Sequence, residues 1–198
     1  MHNISVLYHD KGILVVNKPA GLPTQPTRDK QENLYQRLQQ KYPYVGLHHR
    51  LDTPVSGLLL LCTDRKWNKA IAQAFQKKTI KREYWAACLG KLPEEGFWKQ
   101  NIEGKKAQTH FQCLQQAHGC SFLNIILQTG RKHQIRRHSS INGHPILGDR
   151  RYGGSAARLS KRIALHAHKI TFIHPKTHTE CSIHAPLPEE LQKLRDQY

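Results

Sequence analysis

The order of apolar and polar positions along the chain predicts short strands interspersed with helices. Two β-branched runs, residues 4–8 and 13–17, flank the turn letters HDKG and predict a hairpin. Residues 57–62 are apolar on both faces, as is typical of a central, buried strand. Apolar positions at helical spacing predict an amphipathic helix over residues 65–77. The remaining predictions are strands at 80–89, 107–116, 121–128, 163–173 and 179–183, and helices at 33–42 and in PEELQKLRDQ.

Strands that predominate over helices, joined mostly by hairpin-length loops, predict an α+β fold around a mixed, largely antiparallel sheet. The chain has 198 residues, a length typical of one domain. The segment KPAGLPTQP contains three prolines and predicts a loop.

The composition favours a polyanionic partner. Lys and Arg total 31 and Asp and Glu total 14, which gives a formal net charge of +17. Such a field attracts nucleic acid, whereas a membrane surface is less favoured because we find no basic amphipathic helix with an apolar face. Asp10 and Lys11 interrupt the apolar N-terminal residues, so no signal peptide is predicted. The five cysteines are odd in number and scattered, which favours reduced thiols and a cytoplasmic protein.

The 14 histidines raise the question of a metal site. The pairs His166 with His168 and His174 with His178 lack nearby cysteines and lack the H-E-x-x-H frame of zinc enzymes. We therefore predict no metal site.

The stretch HHRLD, directly before the predicted buried strand, contains one carboxylate among bases. Asp52 directly precedes the turn letters TPVSG, and the neighbouring Arg50 and His49 favour its ionised form. Three uses fit this pattern: an aspartate that caps a turn, a member of a structural ion pair, or a nucleophile or base in a pocket. The spacing alone does not decide among them.

A second cluster of bases occupies residues 131–138, between two glycine-containing turns. The letters RKHQIRRHSSI suit a helix with Thr129 as its N-cap. Five residues along a helix correspond to about 140°, so Arg136 and Arg131 point in different directions and one can face inward. Such a run is either a solvated basic face or a clamp for phosphates.

The third stretch is KREYWAACLG, a predicted strand. Tyr84 and Trp85 alternate on such a strand, so one is predicted to face the core and the other a cleft. A packed aromatic is the ordinary interpretation of Tyr84. Aromatic side chains beside basic residues can also stack on exposed nucleobases.

These stretches, in this order, resemble the RluA-type pseudouridine synthases. HRLDTPVSGLLLL is similar to the family motif H-R-L-D-x-x-T-S-G, KREYWAACLG to its K-x-Y strand, and LQTGRKHQIRRHSSINGHPILGDRRYGG to its L-x-T-G-R-x-H-Q-I-R-x-H…G-D-x-x-Y-G region. VNKPAGL is similar to the opening strand and loop of the family. Val55 departs from the pattern, because the family usually has Thr there.

The resemblance implies the role of each catalytic candidate. Asp52 would be the essential carboxylate, Arg136 would pair with it and keep it ionised, and Tyr84 would pack against the flipped uracil. The reaction converts uridine to pseudouridine without a redox change, so no cofactor and no metal are expected. The implied contacts to RNA are His49, Arg50, Arg131, Lys132, His133 and Arg137.

The resemblance also implies the organisation of the protein. We expect one catalytic domain of the pseudouridine synthase fold over residues 1–198, without the appended N-terminal RNA-binding domain of many relatives. From that absence we expect tRNA to be slightly favoured over ribosomal RNA, and we expect a monomer.

Two other classes of function remain open from the sequence. An RNA-binding protein with the synthase fold but without turnover would have the same basic surface. A DNA-binding protein is less favoured, because no helix precedes the basic helix at helix-turn-helix spacing.

Overall fold

The computed structural model describes residues 4–197, which form two compact units. The first unit contains residues up to Arg82 together with Ala167–Ala185. The second contains Glu83–His166 and the residues from Pro186 onward.

The first unit begins with the predicted hairpin. Strands β1 (Ser5–Asp10) and β2 (Ile13–Lys18) pair antiparallel, with Asp10 opposite Ile13. The two turn residues between them, Lys11 and Gly12, both have positive φ (45° and 87°). A two-residue turn of this type matches the twist of the strands that it joins.

The rest of the first unit is built on β2. Strand β3 (Gly46–Leu47) and strand β2 both pair antiparallel with β4 (Ser56–Cys62), and all seven residues of β4 are buried. Helix α1 (Leu34–Gln39) begins after Asn33, whose side chain accepts a hydrogen bond from the Gln36 N–H. A 3₁₀ turn (Arg65–Trp67) leads into helix α2 (Asn68–Gln76). The run predicted as a fully buried strand is therefore confirmed.

The core of the first unit combines alternate residues of these strands with one helix. Ile71 of α2 packs among apolar side chains of β2 and β4. Ile170, Phe172 and Ala185, from the later part of the unit, complete this cluster. The other buried members are Ile13, Val15, Leu58, Leu60, Cys62 and Ile80.

Strands β9 (Leu165–Ile173) and β10 (Glu180–His184) form the later part of the first unit and pair antiparallel. Gly57 of β4 lies against the backbone of Ala167, since a Cβ placed on Gly57 would be 2.3 Å from the Ala167 carbonyl oxygen. The φ angle of Gly57 is +121°, a conformation that side-chain-bearing residues rarely adopt. Glycine is therefore required here on two counts.

The second unit contains four antiparallel strands in the order β5, β8, β7, β6. Their bounds are β5 Lys81–Leu89, β6 Glu95–Trp98, β7 Thr109–Ala117 and β8 Cys120–Leu127. The sequence did not predict β6, because Glu95–Trp98 has only four residues and begins with glutamate and glycine, which are depleted in strands. The first two residues of β5 belong to the first unit, and the first two of β9 to the second.

Helices α3 (Gln134–Ile141) and α4 (Glu189–Gln197) complete the second unit. The predicted N-cap of α3 is wrong: the helix begins after His133, whose φ of 55° is left-handed. Arg131 therefore lies outside the helix, and the predicted angle between Arg131 and Arg136 does not apply. One arginine was expected to face inward and the other solvent, and this is what the structure shows: Arg136 is buried and Arg131 is exposed.

The predicted α+β class is confirmed by these elements. The prediction of one catalytic domain over the whole chain stays a prediction. Among residues 4–197, no helix combines the length and the apolar character that crossing a bilayer requires.

Candidate functional site

Asp52 lies in the short loop that joins β3 to β4. The loop is closed by the Val55 N–H, which donates to the Asp52 carbonyl oxygen over 3.0 Å. Leu51 and Val55 are buried on either side, while Asp52 itself is half-buried. The valine that replaces the usual threonine of the family thus packs its side chain in the interior. The backbone of Asp52 is anchored at both ends by apolar burial.

The loop after β2 holds both neighbours of Asp52. Thr24 Oγ1 donates to the Leu51 carbonyl (2.7 Å) and accepts from the Leu51 N–H (3.2 Å). On the other side, the Gly21 N–H donates to the Thr53 carbonyl over 2.8 Å. These bonds fix the residues before and after the carboxylate.

Lys18, at the end of β2, is a fully buried cation beside the same loop. Its ammonium group donates to the carbonyls of Pro19 (2.8 Å), Leu22 (2.8 Å) and Thr53 (3.2 Å). A buried charge is tolerated only where its donors are matched, and three carbonyls match the three donors of an ammonium group. We did not predict this role for Lys18 or Thr24 from the sequence, where VNKPAGL served only as a family motif.

His49 is held inside the first unit. Its Nε2 accepts from the Leu60 N–H over 2.9 Å, so its proton resides on Nδ1, and its ring packs against Phe75 at 4.7 Å. Burial, followed by the charges of Arg82 and His48, lowers the pKa of His49 well below its ordinary value of 6.5. His49 is therefore a neutral, structural histidine, and its contact with RNA stays a prediction.

Arg136 forms a buried ion pair with Asp149 in the second unit. Nε and Nη2 of Arg136 each donate to one carboxylate oxygen over 2.8 Å, and the side chains are 6% and 1% exposed. Burial alone would raise the pKa of Asp149, but the bonds and charge of Arg136, with two backbone N–H donors, outweigh it and lower that pKa. The pairing of Arg136 with Asp52 stays a prediction, and Asp149 is a partner that the sequence did not reveal.

Tyr152 lies beside this pair and is surrounded by cations. The guanidinium carbons of Arg136, Arg151 and Arg137 lie 5.1, 5.5 and 6.0 Å from its ring centre. Its hydroxyl is 2.8 Å from His133 Nδ1. The attraction between the Tyr152 ring and the three guanidinium groups helps to hold these arginine side chains in position.

A chain of hydrogen bonds anchors α3 to β7. Gln134 Nε2 donates to Thr109 Oγ1 (2.9 Å), whose hydroxyl is 2.9 Å from His138 Nδ1. His138 Nε2 donates to the Gln100 carbonyl over 2.8 Å, and in the neutral ring Nδ1 is then the acceptor for the Thr109 hydroxyl. Burial lowers the pKa of His138, and the bond to Gln100 offsets this only partly. Thr129, the predicted N-cap, instead donates to Gln134 Oε1 over 2.7 Å.

The structure gives the predicted RNA contacts different settings. Arg50, Arg131 and Lys132 are exposed. Arg137 is half-buried and donates to Glu103 over 2.9 Å, and His133 is half-buried next to Tyr152. Exposed guanidinium and ammonium groups suit phosphate contact, which stays a prediction for all of these residues.

Tyr84 and Trp85 are both buried, so burial does not show which of them faces a cleft, and that prediction stays a prediction. Tyr84 lies opposite Ile125 on β8, and Trp85 lies opposite Asn124 with its ring 5.8 Å from Phe122. The predicted contact of Tyr84 with uracil stays a prediction. Within residues 4–197, no three His, Cys, Asp or Glu side chains are arranged to hold a metal ion.

Comparison with known proteins agrees with the sequence motifs. A model described as RNA pseudouridylate synthase matches residues 12–140. The dual-specificity RNA pseudouridine synthase RluA of Vibrio vulnificus is 33% identical over 205 residues, which cover 91% of this chain and 82% of that protein. The RluA protein of Escherichia coli K12 is 34% identical over 202 residues, covering 91% and 92%.

Solved structures give the same result for the fold. Human RNA Pseudouridylate Synthase Domain Containing 4 superposes with a TM-score of 0.77 at 23% identity, covering 96% of this chain and 92% of that one. Human RNA Pseudouridylate Synthase Domain Containing 1 has a TM-score of 0.77 at 24% identity, covering 98% and 95%. The predicted pseudouridine synthase fold is confirmed.

The substitution Asp149→Asn tests the buried pair. The amide side chain would keep an acceptor for the backbone N–H groups, but it would remove the negative charge that Asp149 places against the buried Arg136 guanidinium. We expect a loss of about 3–5 kcal/mol in the free energy of unfolding, measured with urea. Glu103→Gln, which removes the exposed partner of Arg137, is the control and should cost about 1 kcal/mol or less. Equal stability of the two variants would contradict a structural role for the pair.

The two neutral histidines predict a dependence of stability on pH. Their pKa values are lowered in the folded protein, so below pH 6.5 the unfolded chain binds more protons than the folded one. Unfolding free energy should therefore fall as the pH drops from about 7 towards 5, and these two histidines together should contribute at most about 2.7 kcal/mol per pH unit. Burial also lowers the pKa of His48, which adds to the slope in the same direction in all three proteins compared below. Urea unfolding at several pH values should give a shallower slope in His138→Gln and a still shallower one in His49→Gln/His138→Gln. Identical slopes in the unaltered protein and both variants would show that His49 and His138 are not neutral in the folded state.

Proposed function

This chain belongs to the RNA pseudouridylate synthase family and is an isomerase, and on that premise we propose that it isomerises selected uridines in structured RNA with Asp52 as the catalytic residue. The observation that carries this proposal is the position of Asp52. It lies in the H-R-L-D motif and in a loop whose two flanking residues are hydrogen-bonded to the segment after β2.

The reaction rearranges one nucleotide without an external reactant. The bond between ribose C1′ and uracil N1 breaks, the uracil turns, and a bond between C1′ and C5 forms. The C5 proton is lost and N1 gains a proton, so the atoms balance and no electrons are transferred. A carboxylate can attack the sugar, attack the base or remove a ribose proton, and each route requires Asp52 in its ionised form.

Arg136 and Tyr84 are the proposed partners of Asp52, on the strength of their motifs. We propose that the guanidinium of Arg136 stabilises the carboxylate, and its rigid hold by Asp149 supports a role in which orientation matters. We propose that Tyr84 packs against the extruded uracil.

The target base must leave its stack before it can react, which costs a few kcal/mol. Contacts between cations and phosphates can offset that cost. The exposure of Arg50, Arg131 and Lys132 supports such contacts. His49, His133 and Arg137 are more enclosed and are proposed as secondary contacts.

We propose tRNA as the first substrate and ribosomal RNA as the second. The relatives from Vibrio and Escherichia are named dual-specificity enzymes, and a relative from Neisseria meningitidis, 30% identical, is named a ribosomal large subunit synthase. These names support testing both classes of RNA. We also propose a monomeric, cytoplasmic enzyme, and the five free cysteines support a reducing compartment.

The test is direct. The protein is incubated with bulk tRNA and with ribosomal RNA, and new pseudouridine is located by carbodiimide mapping. We expect modification at a few positions, with Asp52→Asn lowering the rate by at least about 1,000-fold, since the amide can be neither base nor nucleophile. Asp29→Asn, in an exposed loop, is the matched control and should be fully active.

Two outcomes would overturn the proposal. Full activity of Asp52→Asn would remove Asp52 from the chemistry. Salt-dependent RNA binding by the unaltered protein with no pseudouridine in either RNA would support an RNA-binding protein without turnover.

A further inference from the structure

Phe97 is an aromatic side chain that β6 directs to solvent. Its neighbour Trp98 is buried and packs on Phe111, with ring centres 4.7 Å apart, whereas Phe97 is 48% exposed. A single exposed apolar side chain is common on protein surfaces. It indicates a binding site only when neighbouring side chains suit the same ligand.

The ring of Phe97 is held in a fixed plane. It lies opposite His110 on β7, and the two rings stack with centres 4.6 Å apart and planes 20° apart. His110 Nε2 in turn donates to Glu95 Oε1 over 2.5 Å. The histidine that supports Phe97 is therefore fixed by a carboxylate on the same strand as Phe97. This arrangement reduces the ordering cost of a further stacking contact.

One lysine lies beside the ring, and two more lie in the connection that follows β6. Lys99 Nζ lies 5.3 Å from the Phe97 ring centre. Lys105 and Lys106 are exposed in the tight turn that follows. That turn is closed by two hydrogen bonds between Ile102 and Lys105, of 3.0 and 3.1 Å. We call Phe97, Lys99, Lys105 and Lys106 the 97–106 surface.

The connection that carries these lysines is tied to α3 and to the segment before it. His138 Nε2 donates to the Gln100 carbonyl (2.8 Å), Arg137 Nη1 to Glu103 (2.9 Å) and Arg131 Nε to the Lys106 carbonyl (3.0 Å). The lysine side chains thus project from a connection that is ordered before any ligand binds.

We propose that the 97–106 surface is a second RNA contact, in which Phe97 stacks on an unpaired base and Lys105 and Lys106 contact phosphates of neighbouring nucleotides. Aromatic rings beside cations are the usual means of holding single-stranded nucleic acid, because every base has a π-face. Lys106 is four residues from His110, a chain length of at most about 14 Å. One stretch of a few nucleotides can therefore reach both the ring and the turn.

The cations of this surface favour a polyanion over an apolar protein segment, and the exposed ring that can stack on a base favours RNA over an acidic peptide. Two of the carboxylates that lie close to these residues in the chain are paired with basic side chains: Glu95 with His110 and Glu103 with Arg137. The proposal rests on the proposed function, since it assigns this surface to the RNA substrate. It adds residues that lie outside the three family motifs.

The test separates stacking from charge. The dissociation constant for bulk tRNA is measured as a function of salt concentration for Phe97→Leu, Phe97→Trp and Lys105→Gln/Lys106→Gln. Phe97→Leu should bind about tenfold more weakly with an unchanged salt slope, because stacking is not a counterion effect. The double lysine variant should lower the steepness of the log–log salt dependence by about 1.4, for two phosphates of a single strand.

Controls keep the outcomes distinct. Phe97→Trp should restore the binding that Phe97→Leu loses, and Leu114→Ala, which truncates another exposed apolar side chain on β7, should bind as the unaltered protein does. Turnover at saturating tRNA should be unchanged in every variant, and KM should rise only in Phe97→Leu and in the double lysine variant.

Two results would overturn parts of this account separately. If Phe97→Leu and the double lysine variant bind like Leu114→Ala while the unaltered protein makes pseudouridine, this inference fails and the proposed function stands. If the unaltered protein makes no pseudouridine, the proposed function fails, and the binding data still decide whether the 97–106 surface holds RNA.

Discussion

The candidate catalytic loop depends on the hydrogen bonds that the buried ammonium group of Lys18 donates to backbone carbonyls. A cation without access to water must be matched by acceptors, and its three carbonyl partners include Thr53, the residue after Asp52. The requirement to satisfy this charge therefore fixes the backbone at position 53. Thr24 does the same at position 51 with one hydroxyl that both donates and accepts. The carboxylate lies between two fixed points.

The second unit applies the same physical rule to a different group. Arg136 is buried because Asp149 neutralises it through two hydrogen bonds, and Asp149 is satisfied further by the N–H groups of Arg151 and Tyr152. The pair is costly to break, although its net contribution to stability is small compared with its gross attraction. Its main consequence is orientation. The guanidinium has a defined position before any substrate arrives, as preorganised catalysis requires.

The sequence predicted features that depend on local pattern and missed those that depend on distant contacts. The apolar run of β4 predicted a buried strand because both faces carry the same signal. The proposed role of Asp52 followed from a motif and not from its surroundings. By contrast, the bond between Gln134 and Thr109 spans 25 residues and leaves no periodic trace. For the same reason Thr129 was predicted as a cap, although its hydroxyl bonds a side chain within the helix.

The measurement that tests this account most directly is the single-turnover rate of pseudouridine formation in Thr24→Val. The substitution keeps the shape of the side chain and removes both hydrogen bonds to Leu51. Thr27→Val is the matched control, because the Thr27 hydroxyl is buried with no hydrogen-bond partner in the described part of the chain. If the fixed loop positions Asp52, Thr24→Val should react on the order of 10- to 100-fold more slowly with unchanged RNA affinity, while Thr27→Val reacts normally. Equal rates for the two variants would contradict the account.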